Sequence, residues 1–136
     1  PHSHGLDFGC GPGPALAAML REAGHHMVLY DPCFATDPTV FMSSFDFIVS
    51  SEVFEHLRQP GPEFDRLWKC LRPGGLLGIM TKRLNERDKF PGWFYSRDPT
   101  HIAFYSDLTF RWLAERCRAD LTIIDDDIVL LKKLAD

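Results

Sequence analysis

Gly9, Gly11 and Gly13 alternate just after the short apolar run Gly5-Leu6-Asp7-Phe8, and an alanine- and leucine-rich stretch follows them. That order predicts a strand, a tight turn and a helix. Glycine suits a turn whose backbone must take positive φ or approach a ligand closely. At the end of the next apolar run, Met27-Val28-Leu29-Tyr30, stands Asp31. A carboxylate there is placed to accept hydrogen bonds from both ribose hydroxyls of a nucleoside. The chemistry these residues suit is the holding of a nucleoside-bearing cofactor. Their G-x-G-x-G spacing differs from the G-x-G-x-x-G more usual around a dinucleotide pyrophosphate, while the role of Asp31 fits either kind of cofactor.

A second constellation is Glu52-Val53-Phe54-Glu55-His56, an E-x-x-E-H pattern. On a helix, positions i, i+3 and i+4 share one face, so Glu52, Glu55 and His56 would converge. His101, in Asp98-Pro99-Thr100-His101, supplies a fourth ligand from a long loop. Carboxylates with imidazoles suit Mg²⁺, Mn²⁺ or Zn²⁺. Without a metal, His56 or His101 is the candidate catalytic base, imidazole being the side chain that titrates near neutrality. Phe90, Trp93, Phe94, Tyr95, Phe104 and Tyr105 surround His101 in sequence. Trp93 and Tyr95 read as an acceptor pocket, and Phe104 and Tyr105, near a helix start, as core beneath the loop. Lys82 and Arg83 read as solvated surface charges.

The elements that must position these groups alternate. Phe45-Asp46-Phe47-Ile48-Val49 is a further strand, followed by a helical pattern through Phe64, Leu67, Trp68 and Leu71 that stops at Pro73-Gly74-Gly75. Leu76 to Met80 form the next strand, and residues 82–105 a connection long enough to suggest function. Ser106 or Asp107 caps a helix to about Cys117. Two strands close the chain, Leu121 to Ile124 and Ile128 to Leu131, as a hairpin around Asp125-Asp126-Asp127. The pattern predicts an α/β fold, a Rossmann-like mostly parallel sheet with helices on both faces and an antiparallel edge strand. Ligands in such sheets sit beyond the carboxyl ends of the strands, where Asp7 to Gly13, Asp31, Glu52 to His56 and Lys82 all fall.

A chain of 136 residues has room for one core, so residues 1–136 are expected to be one domain. With 19 acidic and 15 basic residues the formal charge is -4, which provides no electrostatic footprint for nucleic acid. No apolar run approaches a membrane span and no signal segment opens the chain. Cys10, Cys33, Cys70 and Cys117 form no C-x-x-C pair and read as free thiols. The expectation is a soluble cytoplasmic protein of undetermined oligomeric state.

Leu6-Asp7-Phe8-Gly9-Cys10-Gly11-Pro12-Gly13 resembles the first motif of class I S-adenosylmethionine-dependent methyltransferases, an apolar residue followed by D-x-G-C-G-x-G. Tyr30-Asp31, Phe45 to Val49 and Leu71-Arg72-Pro73-Gly74-Gly75 resemble, in order, that family's ribose-binding acid, its fourth strand and the turn before its fifth. The resemblance runs from residue 5 to about 132. It implies that Gly9, Cys10, Gly11 and Gly13 contact the methionine and ribose portions of S-adenosylmethionine, and that Asp31 takes the ribose hydroxyls. It further implies that Asp7 positions the methionine amino group and that Ser51 and Glu52 line the pocket near the sulfonium. The implied activity is methyl transfer to an oxygen of a small molecule. Two alternatives are a methyltransferase-like binding domain without turnover and metal-assisted RNA 2′-O-methylation, because E-x-x-E-H is similar to ubiquinone-pathway O-methyltransferases and small-RNA 3′-end 2′-O-methyltransferases. Two departures stand out. Too few residues separate Asp31 from Phe45 for the usual helix and third strand, leaving Phe34 and its neighbours as the adenine wall. The covering helices that usually precede the first strand are absent, so an N-terminal truncation is expected.

Overall fold

The computed structural model describes residues 2–85 and 99–135; the expectations on Phe90, Trp93, Phe94 and Tyr95 lie outside them. The first βαβ unit forms as its pattern predicts, with β1 at His4–Phe8, α1 at Ala15–Glu22 and β2 at His26–Tyr30. Then come β3 at Phe45–Ser51, α2 at Pro60–Cys70, β4 at Leu71–Met80, α3 at Asp107–Cys117, β5 at Ala119–Ile124 and β6 at Ile128–Lys133. Ser106 caps α3 by accepting the Thr109 N–H, which satisfies a donor the helix leaves open.

The strands lie in the order β2-β1-β3-β4-β6-β5. Strands β1 to β4 pair in parallel, and β6 runs antiparallel to both β4 and β5. The antiparallel pairing is thus confined to the end of the sheet, where the hairpin folds back so that β6 fills the place beside β4 and β5 becomes outermost. Arg72-Pro73-Gly74-Gly75 lies between the Phe45–Leu71 and Phe47–Leu76 pairings. It bulges out of the ladder there, which suits a proline that cannot donate to it.

Alternation along the strands separates two faces. Leu6, Ile48, Leu77 and Leu131 are register neighbours and fully buried, in one cluster with Phe64 and Leu67 of α2 and Phe110 of α3. Each such side chain contributes roughly 1.5–3 kcal/mol of transfer free energy. The opposite face carries Gly5, Asp7, Phe47 and Val49, and Leu20 of α1 lines the same hollow as Phe47 and Val49. Between Asp31 and Phe45 there is no further helix of α type or strand, only a 3-10 helix at Pro38–Met42. Strand β2 is therefore an edge, as the short spacing predicts. Phe41 of that turn packs on Tyr30 and Phe8, with the Arg66 guanidinium 3.8 Å above its ring. Among the described residues no helix is long and apolar enough to cross a membrane.

Candidate functional site

Because β2, β1 and β3 are neighbours, their carboxyl ends bring together Asp31, the glycine loop and Ser51-Glu52. The loop turns back at once: the Gly9 and Cys10 N–H groups both donate to the Tyr30 carbonyl, at 2.8 and 3.1 Å. Gly9 has φ 80, and a Cβ there would lie 2.3 Å from Val53 Cγ2. Backbone conformation and packing both demand glycine. Gly11 also has positive φ, 69, but a Cβ at Gly11 or Gly13 would meet nothing within 4 Å. The loop's outer side is open. Asp31 borders that space, its carboxylate accepting the N–H groups of Gly11 at 3.0 Å and Cys33 at 2.8 Å. The Phe34 N–H reaches the same carboxylate while its ring stays exposed. Cys10 Sγ donates to the Gly11 carbonyl, and Ser51 Oγ to Met80 Sδ at 3.4 Å.

Asp7, only 4% exposed, has its carboxyl raised from 3.8 to about 6, first by burial and then by the Asp31 charge. The folded state therefore holds this proton more tightly than the unfolded chain does. Stability contributed by neutral Asp7 is lost as pH rises from about 4 to about 6. Asp7→Asn is expected to stabilise the protein by about 2 kcal/mol more at pH 7 than at pH 4, since each pKa unit is worth roughly 1.4 kcal/mol and part of that stability is already lost at pH 4. Urea unfolding of both proteins at the two pH values measures this difference, and an equal effect at both would remove the burial argument.

Beyond β3 and β4 a cavity of about 140 Å³ is lined by Glu52, Glu55, His56, His101, Phe104 and Asp127, among others. The helix expected at Glu52 to His56 does not form. Glu52 has φ 57, held by its N–H donating to the Met80 carbonyl at 2.8 Å, and only Phe54–His56 makes a 3-10 turn. The i, i+3, i+4 argument for Glu52 therefore fails. Ligand atoms of Glu55, His56 and His101 nevertheless lie within 4.8 Å of one another, while Glu52 lines the cavity outside that group.

Residues 99–105 deliver His101. Ile102 and Ala103 donate their N–H groups to the Glu55 carbonyl at 2.8 and 3.1 Å, and the buried Tyr105 hydroxyl donates to the Phe54 carbonyl at 2.7 Å. Burial, then the Glu55 charge, pushes that phenol well above its ordinary range. The His56 and His101 rings meet edge to face, centroids 4.8 Å apart. His56 Nδ1 pairs with the Thr100 carbonyl at 2.7 Å, which requires that nitrogen to carry the proton and makes Nε2 the acceptor of the neutral ring. Nε2 stands 3.8 Å from Glu55 Oε1, and Glu55 Oε2 accepts the Thr81 hydroxyl at 2.6 Å.

Two features depart from expectation. Tyr105 fills core, but Phe104 borders the cavity. Lys82 is partly exposed and paired with Asp126 at 3.2 Å, whereas Arg83 is buried. Its Nε donates to Asp107 Oδ1 at 2.7 Å and its guanidinium to the Asp125 carbonyl, so it clamps the β5–β6 turn to the start of α3. Thr81 and Asp127 escaped the sequence reading as site residues, Thr81 because it belongs to no pattern and Asp127 because it read only as part of the hairpin turn. The only signal was their place at strand ends.

Residues 1–124 match the sequence model of the methyltransferase domain, and the chain belongs to that family. Phosphoethanolamine N-methyltransferase 2 of Caenorhabditis elegans is 29% identical over 102 residues, covering 71% of this chain and 23% of that protein. The chain thus spans about a quarter of the curated relative's length. A SAM-dependent methyltransferase from Archaeoglobus fulgidus superposes with a TM-score of 0.71 at 15% identity, over 96% of this chain and 86% of the other. The 1,6-didemethyltoxoflavin-N1-methyltransferase of Burkholderia thailandensis, solved with S-adenosylhomocysteine, gives 0.69 at 15% identity over 98% and 72%. At these identities the likeness is one of fold.

Proposed function

We propose that this chain binds S-adenosylmethionine along the glycine loop and Asp31, and transfers its methyl group to an oxygen of a small molecule seated against Glu55, His56 and His101. The observation that carries the reading is the open side of the glycine loop, where a Cβ at Gly11 or Gly13 would meet nothing within 4 Å, next to the Asp31 carboxylate that accepts the Gly11 N–H. When bound, the cofactor supplies an electrophilic sulfonium methyl. The protein has only to align a nucleophile and accept its proton. Asp31 offers carboxylate oxygens for ribose hydroxyls, exchanging them for the Gly11 and Cys33 N–H bonds it makes here. Asp7, neighbouring it, suits the methionine ammonium in its ionised form. Ser51 and Glu52 border the way from cofactor to cavity. His56 Nε2, unpaired by a backbone donor, is the base for an acceptor hydroxyl, and His101 faces it.

Glu52, Glu55 and Asp127 around the cavity favour a small acceptor over a polyanion such as RNA. The same cavity also suits a divalent ion, because Glu55, His56 and His101 offer one carboxylate and two imidazoles whose ligand atoms lie within 4.8 Å of one another. Such an ion supplies Lewis acidity toward a hydroxyl.

The test of cofactor binding is calorimetric titration with S-adenosylhomocysteine. Asp31→Ala is expected to weaken binding about tenfold or more, a loss of roughly 1.5–3 kcal/mol for charge-assisted hydrogen bonds. Unchanged affinity would take Asp31 out of the site, and no binding by the parent would overturn the reading.

A further inference from the structure

We infer that Thr81 is a positioning residue for the divalent-ion site, acting through Glu55; the inference rests on the metal reading given above. Thr81 is 2% exposed and Glu55 7%, so the hydrogen bond between them exchanges little with water. A threonine hydroxyl has a single proton. Thr81 commits it to Glu55 Oε2 at 2.6 Å, which leaves Oε1 as the oxygen turned toward His56 Nε2. The hydroxyl is itself held, for the Thr81 N–H donates to the Asp127 carbonyl at 2.8 Å and Arg83, two residues on, donates its N–H to the Asp126 carbonyl at 2.9 Å. The β5–β6 turn thereby fixes the end of β4, and β4 fixes the Glu55 carboxylate. His56 is oriented in the same manner by the Thr100 carbonyl. Each of these two ligands thus has one polar atom occupied by the surrounding protein and another aimed at the shared point, the arrangement expected where outer partners orient metal ligands.

Mn²⁺ alone, titrated by electron paramagnetic resonance, tests this assignment. Thr81→Val, nearly isosteric but without the hydroxyl, is expected to weaken Mn²⁺ binding ten- to about a hundredfold, the usual effect of losing such a partner. Thr81→Ser keeps the donor and is expected to stay within about threefold of the parent. Thr81→Cys, with a weaker donor of similar size, falls between the two, and serves if the valine variant does not fold. Far-ultraviolet circular dichroism and cooperative thermal unfolding show whether each variant keeps its fold. Parental Mn²⁺ affinity in Thr81→Val or in Thr81→Cys overturns the assignment while the metal reading stands, as does a serine variant as weak as valine. A parent that binds no Mn²⁺ defeats the metal reading and this inference together.

Discussion

Gly11→Val is expected to abolish measurable binding of S-adenosylhomocysteine, a loss of about a hundredfold or more, equivalent to roughly 2.7 kcal/mol, while the domain stays folded. Two costs act together. Gly11 has φ 69, a conformation that strains a β-branched residue by on the order of 1–3 kcal/mol. Total stabilities of 5–15 kcal/mol absorb that in most domains. The second cost falls on the ligand. A Cβ at this position meets no protein atom within 4 Å, so the valine methyls project into the space beside Asp31 assigned to the cofactor. Their presence also disturbs the Gly11 N–H bond that orients the Asp31 carboxylate. Thermal unfolding alongside calorimetry separates the two costs, because a variant that melts cooperatively and does not bind has lost the cradle alone. Parental affinity in a folded Gly11→Val protein would show that the ligand lies elsewhere.

The double substitution Glu55→Ala with His56→Ala is expected to abolish divalent-ion binding, lowering affinity by at least about a hundredfold. Two of three inward-facing ligands disappear, and a single imidazole retains little affinity for Mg²⁺, Mn²⁺ or Zn²⁺. In the parent the affinity should fall as pH drops, since protons compete with the ion for imidazole nitrogen. Elemental analysis of the parent and Mn²⁺ titration of both proteins, with and without a chelator, decide the matter. If the parent carries no ion and takes none up, the metal reading falls and the proposal of His56 or His101 as base is the one left to test. The Glu55 main-chain carbonyl, not its side chain, receives the Ile102 and Ala103 N–H groups. Those two bonds survive the double substitution, whereas the His56 bond to the Thr100 carbonyl is lost, so far-ultraviolet circular dichroism and thermal unfolding of the variant check that the fold is kept.

Local patterns in the sequence determined the βαβ start, the glycine turn, Asp31 at the end of β2, the cap on α3 and the final hairpin. Each depends on residues a few positions apart, where backbone stereochemistry and alternation leave little choice. The shortened span between Asp31 and Phe45 was legible as a count of residues, and it leaves β2 at the sheet edge. Tertiary structure decided the rest. Glu52 departs from the expected helical face because its N–H is drawn to Met80 on the neighbouring strand, so three carboxyl and imidazole groups meet instead of four. Glu55 and His101 come together through bonds from Ile102, Ala103 and Tyr105 across a wide sequence gap, which no local periodicity encodes. Arg83 looks like a surface cation by residue type, yet an acidic helix start and the turn carbonyl of Asp125 compensate its burial. Thr81 carries no motif at all. Its importance arises only where folding brings its single hydroxyl proton against a buried carboxylate, an encounter set by the packing of β4 on the 54–56 turn.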